Sequence, residues 1–160
     1  MERKRLSETV QAFVEATKEV CLQLLNMDVR KVTEKEPDSP LIQFDGAAVI
    51  IGFSGGFSGR LFLGVPKTFL SALYISMGGD NSSSTEEQLL AMNEFGNLIA
   101  GHALTRVNNR FPGVNVRPAP PSSFWGEQLV FFNFGMGGVH VVFEIPQGNI
   151  EINILLKEDQ

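Results

Sequence analysis

Glu94 and Asn97 stand one helical turn apart, and Gly101 follows a turn later, in the run AMNEFGNLIAGHA from Ala91 to Ala103. A carboxylate can make a charge-assisted contact to a cation. A carboxamide can both donate and accept hydrogen bonds, so it can hold a water molecule but cannot remove its proton. Placed side by side on a helix, the two can dock and align another molecule without acid–base chemistry of their own.

The helix that carries them is predicted over Glu86 to Asn108. Thr85 followed by Gln88 reads as a capping box, Glu86 and Glu87 fall in the electropositive first turn, and the serines Ser82–Ser84 read as the loop before it. At roughly 100° per residue, Met92, Phe95, Ile99 and Ala103 form one stripe, flanked by Leu89, Leu98 and Val107. That stripe is expected to face the core. Glu94, Asn97 and Gly101 then point away from it, together with Leu90, Leu104 and Asn108. A glycine inside a helix costs about 1 kcal/mol relative to alanine, so Gly101 calls for a reason, and close approach by another surface is one; the alternative is that Glu94 and Asn97 are merely solvated and Gly101 is an accident of packing. Leu90 and Leu104 on the same side suggest docking.

The remaining elements supply the frame. A first helix is expected from Ser7 as N-cap to about Asn26, with Val10, Phe13, Val14, Ala16, Val20 and Leu24 facing inward. A short strand near Val29 to Thr33 leads into an exposed turn at Lys35 to Pro40. Ala47 to Phe53 and Gly59 to Val65 read as a hairpin around Gly55-Gly56. Pro66 opens a second helix that ends at Gly78-Gly79. After the Glu94 helix, Gly113 and VRPAPP (Val116 to Pro121) break regular structure. Strands are then expected at Gln128 to Phe134, Gly138 to Ile145 and Asn149 to Leu156. Residues 51–66 and 132–146 share an outline of apolar strand, glycine turn, apolar strand and proline, which hints at a pseudo-duplicated α+β unit.

Composition narrows the function classes. With 160 residues and 43% hydrophobic content, the chain fits one domain spanning residues 1–160 with a real core. Its net charge of −5 and scattered basic residues offer no footprint for nucleic acid. The basic start MERKR precedes an amphipathic, acid-containing stretch, so neither a signal core nor a membrane span is read there, and a cytoplasmic location is expected. Cys21 is the sole cysteine and is expected to be a small buried apolar group. No Walker loop, dinucleotide fingerprint or nucleophile elbow occurs. His102 and His140 read as core histidines, and no metal site is expected. Phe124 and Trp125 could form a contact patch or seal a core edge.

IIGFSGGFSGRLFLGVP (residues 50 to 66), a following helix and then Glu94-x-x-Asn97-x-x-x-Gly101 resemble the CheX branch of the CheC/CheX/FliY family of chemotaxis phosphatases. The resemblance spans most of the chain. It implies a CheC-like α+β fold, a β-sheet packed with long helices, and an active pair on an exposed helix. It implies as partner a phosphorylated CheY-like response regulator, whose aspartyl phosphate is hydrolysed. Glu94 and Asn97 would be the catalytic pair, and Leu90, Gly101 and Leu104 would contact the partner. No cofactor of its own is expected; Mg2+ is expected in the partner receiver. The resemblance further implies a homodimer. CheC-type proteins carry two Glu-x-x-Asn elements, whereas this chain shows one, as CheX does. The family often has Asp or Ser four residues before the Glu, and here that position is Leu90, which bears on partner choice or rate. A non-catalytic adaptor, or a component related to the flagellar switch, is the alternative.

Overall fold

The computed structural model describes residues 2–80, 84–133 and 136–157. Its elements run α1 (Glu2–Leu25), β1 (Arg30–Lys35), β2 (Leu41–Ser54), β3 (Gly59–Val65), α2 (Lys67–Ser76), α3 (Thr85–Arg110), β4 (Arg117–Pro118), β5 (Ser122–Phe132), β6 (Met136–Ile145) and β7 (Gly148–Lys157). The strands make one seven-stranded antiparallel sheet in the order β1-β6-β7-β3-β2-β4, with β5 also paired to β2. The class is α+β, as the sequence indicates.

Period-two alternation sorts each strand onto two faces. Val49, Ile51 and Phe53 of β2, Leu61 and Leu63 of β3, and Ile150, Ile152 and Ile154 of β7 join the inner residues of all three helices in the main core. From α1 this core takes Val10, Phe13, Val14, Ala16 and Val20. The opposite residues, Ile42, Phe44, Ala48, Phe62 and Leu155, make a second, helix-free cluster. The strand β5 turns over this cluster: the Phe131 ring lies 6.3 Å from Phe44, 5.8 Å from Phe62 and 5.2 Å from Phe124. Gly64 makes room for Phe44, since a Cβ there would lie 2.2 Å from the Phe44 ring. Trp125, one residue on from Phe124, packs on the main core instead. Trp125 therefore helps to seal a core edge, whereas Phe124 is exposed and lies edge-on against Phe131.

Several expectations shift. The first helix begins five residues before Ser7, which lies inside it rather than capping it. Thr9 and Thr17 return their hydroxyls to the carbonyls four residues earlier, at 2.7 and 2.8 Å, and so sit within the helix at no unpaired polar cost. The hairpin of β2 and β3 is present, but β2 starts at Leu41, because its first half finds a partner in β5 that is distant in sequence. The strand β5 likewise starts six residues before Gln128; a bulge between Phe44 and Gly46, with Gly126 and Gln128 at positive φ, hides the alternation. Phe134 and Gly135, like Ser82 and Ser83, lie outside the described residues.

The pseudo-duplication takes a different form from the echo of residues 51–66 and 132–146. The strands β5 and β6 do not pair with each other; β6 pairs with β7 and β1. The strand order is instead palindromic. Two hairpins, β2–β3 and β6–β7, meet at β3 and β7 in the centre, and each takes its outer strand from the other half of the chain.

Cys21 is fully buried and free, and burial pushes its thiol up to about 12. The histidines are not core residues. Each is partly exposed beside a carboxylate, His102 Nδ1 at 3.3 Å from Glu19 and His140 Nε2 at 3.3 Å from Glu151, because both lie at the margins of their elements' buried faces.

Candidate functional site

The helix α3 is held rigidly along its length. Its N-cap is Ser84, not Thr85: the Ser84 hydroxyl accepts from the Glu87 amide at 3.3 Å, so the capping motif is Ser84-x-x-Glu87, one residue earlier than expected. Glu87 turns its carboxylate to the Tyr74 hydroxyl of α2 at 3.0 Å. Further along, Glu19 of α1 accepts from Arg106 and faces His102, and Glu8 pairs with Arg110 at 3.4 Å. At the C-terminal end, the Asn108 carboxamide clamps Val116 through both its amide (2.8 Å) and its carbonyl (3.0 Å), fixing the exit into the proline-rich stretch.

Met92, Phe95, Ile99, Ala103 and Val107 are buried, as the stripe requires. The buried arc is wider than the stripe, for Ala91, Gly96, Ala100 and Leu104 are buried too. The helix packs against the sheet, α1 and α2, so three neighbours cover it rather than one. This corrects the reading of Leu104: at 2% exposure it belongs to the core and cannot meet a partner. Asn108 likewise serves as a structural clamp rather than as part of a docking face.

What stays outward is a ridge of Leu90, Glu94, Asn97 and Gly101. Leu90, Glu94 and Asn97 are exposed and Gly101 is partly so; Leu90 reaches 66% exposure, the highest of the exposed large hydrophobic residues described. No hydrogen bond or ion pair ties Glu94 or Asn97 to another described residue. Helical side chains lean toward the N-terminus, so Asn97 inclines over the turn that carries Glu94.

Two glycines divide the work that sequence reasoning gave to one. At Gly96 an added Cβ would lie 2.8 Å from Val49 and 3.1 Å from Ile51, so Gly96 lets the helix settle on the sheet. At Gly101 an added Cβ would meet no neighbouring element within 4 Å among the described residues. The signal for Gly96 was its place between Phe95 and Ala100, on the flank of the apolar stripe. Among the described residues, no group of three or more His, Cys, Asp or Glu side chains could hold a metal ion, and no helix is long and apolar enough to cross a membrane.

Comparison with known proteins gives the arrangement a family. The chain matches the family described as chemotaxis phosphatase CheX over residues 47–144. No curated protein matches it. Among solved structures, a chemotaxis protein CheX from Desulfovibrio desulfuricans is similar with a TM-score of 0.84 at 19% identity, covering 94% of this chain and 99% of that one. The CheX of a CheX–CheY–BeF3–Mg2+ complex from Borrelia burgdorferi is similar with a TM-score of 0.74 at 23% identity, covering 93% and 97%. A chain of the FliM–SpeE complex from H. pylori is a more distant likeness, with a TM-score of 0.60 at 12% identity over 98% and 90%. At these identities the structures speak for the fold, while the family match covers more than half of the sequence, and it includes Glu94, Asn97 and Gly101. This chain belongs to the CheX family of chemotaxis phosphatases.

Proposed function

We propose that this protein hydrolyses the aspartyl phosphate of a CheY-type response regulator, with Asn97 aligning the attacking water and Glu94 docking the partner. The outward ridge of Leu90, Glu94, Asn97 and Gly101 on a helix braced from three sides carries this reading. Family membership supports the reaction class, and the Borrelia relative's complex with CheY supports the partner class.

The chemistry asked of the protein is small. An acyl phosphate is an activated anhydride, and the receiver contributes the groups around its own phosphoryl oxygens, including Mg2+. Water oxygen attacks phosphorus, the bond from phosphorus to the aspartyl oxygen breaks, and carboxylate and inorganic phosphate leave. The missing ingredient is a water held in line. Asn97 accepts a hydrogen bond from that water through Oδ1 and offers Nδ2 to a phosphoryl oxygen, reducing the entropic part of the barrier. Glu94, a turn earlier, makes a charge-assisted contact with a cationic side chain at the rim of the receiver pocket. Gly101 keeps the ridge low where the partner's loops cross, and Leu90 adds apolar contact. The same reading puts the protein in the cytoplasm as a homodimer formed from one 1–160 domain per subunit.

The test is to incubate the protein with radiolabelled phospho-receivers and follow loss of label. Asn97→Ala is expected to reduce stimulated dephosphorylation to the receiver's own rate while leaving complex formation intact. An unchanged rate would remove Asn97 from the mechanism. The rival is a binding component without hydrolysis, built on the fold that FliM structures share. A phosphorylation-dependent complex with no turnover would select it; the intact Glu94 and Asn97 pair speaks against it.

A further inference from the structure

Two buried side-chain oxygens among the described residues have no hydrogen-bond partner, and one of them, Asn93 Oδ1, lies beside the ridge. A buried amide oxygen without a donor destabilises the folded state, and native proteins keep few such groups. Nothing in the helix demands asparagine there: it is a weaker helix former than alanine or leucine, and position 93 lies on the flank where α3 turns toward the sheet. Asn93 is only partly buried as a residue, so its carboxamide can turn.

Its neighbour is the residue with the most exacting role. Asn97 stands four residues on, which places the two side chains next to each other on the helix surface, and the backward lean of helical side chains carries Asn97 toward Asn93. A carboxamide holds a water in line only if its oxygen, rather than its nitrogen, faces that water. A free asparagine rotates between the two orientations and presents the wrong one part of the time. Resting on the phosphatase reading above, we propose that Asn93 is a positioning residue for Asn97, its unpaired Oδ1 accepting from Asn97 Nδ2 when the ridge is docked and dry. One Nδ2 hydrogen is then held by Asn93, the other is left for a phosphoryl oxygen, and Asn97 Oδ1 is fixed toward the water. Before docking, the idle acceptor carries a cost that the docked state removes.

The roles separate in one experiment with purified protein and a phospho-receiver. Asn93→Leu keeps the branched shape of the side chain, though with greater bulk, and deletes the acceptor. It is expected to raise the thermal midpoint, because a buried unsatisfied atom is gone, and to lower kcat by roughly three- to tenfold, the value of one hydrogen bond, with KM unchanged. Asn93→Ala is expected to lower kcat by a similar factor, and it serves as the measurement if the leucine disturbs the flank. Wild-type kcat in both variants overturns the inference while leaving the phosphatase reading in place. A rise in KM with kcat unchanged also overturns it, since that would make Asn93 a docking contact. Wild-type protein that releases no phosphate from any receiver sinks both.

Discussion

Glu94 brings a full charge to the ridge, whereas Asn97 brings only dipoles, and the two should fail in different ways when removed. A hydrogen bond to a charged group contributes about 1.5–3 kcal/mol, so Glu94→Ala should weaken binding of the phosphorylated receiver roughly tenfold or more. Wild-type binding should fall as salt is added, and the variant's should fall less, because the screened charge is gone. Titrations at two ionic strengths decide this; equal affinity in wild type and variant would leave Glu94 without a docking role. Gly101 allows a finer separation. It lies in open space within a helix, so Gly101→Ala should raise stability by up to about 1 kcal/mol and leave binding near wild type. Gly101→Leu should fold as well and block the receiver. A leucine variant that binds normally would show that no partner crosses this turn.

At the scale of the element, α3 has to present the ridge without yielding, and its cap is part of that. Ser84→Ala removes the acceptor for Glu87 N and should cost about 1 kcal/mol, read as a thermal midpoint lower by about 2–4 °C, with kcat and KM unchanged in the cold. A midpoint equal to wild type would mean that the contacts to α2 hold the first turn unaided. This helix was also the most legible part of the sequence. A continuous 3.6-residue pattern reported its core stripe and its outward side, so the outward placement of Leu90, Glu94, Asn97 and Gly101 was legible from spacing, while the roles proposed for them came from the family resemblance. The misplacements were Leu104 and Asn108, and the reason is specific: a wheel shows where apolar residues gather but not how many neighbours cover them. Leu104 is buried on a helix that meets β2, β4 and β5 as well as α1 and α2, and the Asn108 clamp depends on Val116, eight residues away. The strands were less legible for the same cause. The hairpin of β2 and β3 is local and was read with its turn, whereas the pairing of β2 with β5 joins segments some eighty residues apart and leaves no local mark.

Across the whole molecule, the two edges of the sheet differ. One is β1, which is mostly exposed and carries Arg30, Lys31, Glu34 and Lys35, the charged pattern that discourages edge-to-edge pairing. The other includes β5, eleven residues long with Glu127 as its single charge, which pairs only with β2 among the described residues. Val130 and Leu41 are exposed there, at 42% and 44%. An antiparallel edge strand can pair with its own copy about a two-fold axis, so the homodimer in the proposed function would form by joining two sheets at β5. The ridge on α3 would remain available on each subunit, and a dimer would carry two working sites. Val130→Lys places a charge in such a seam and leaves the fold alone, since the residue is already exposed. Sedimentation should show wild-type protein as a dimer and the variant shifted to monomer. Phosphate release per subunit should survive in that monomer, because Glu94 and Asn97 come from one chain. A wild-type monomer would dispose of the dimer, and a dimeric variant would move its interface away from β5; activity lost on dissociation would instead mean that one subunit completes the other's site.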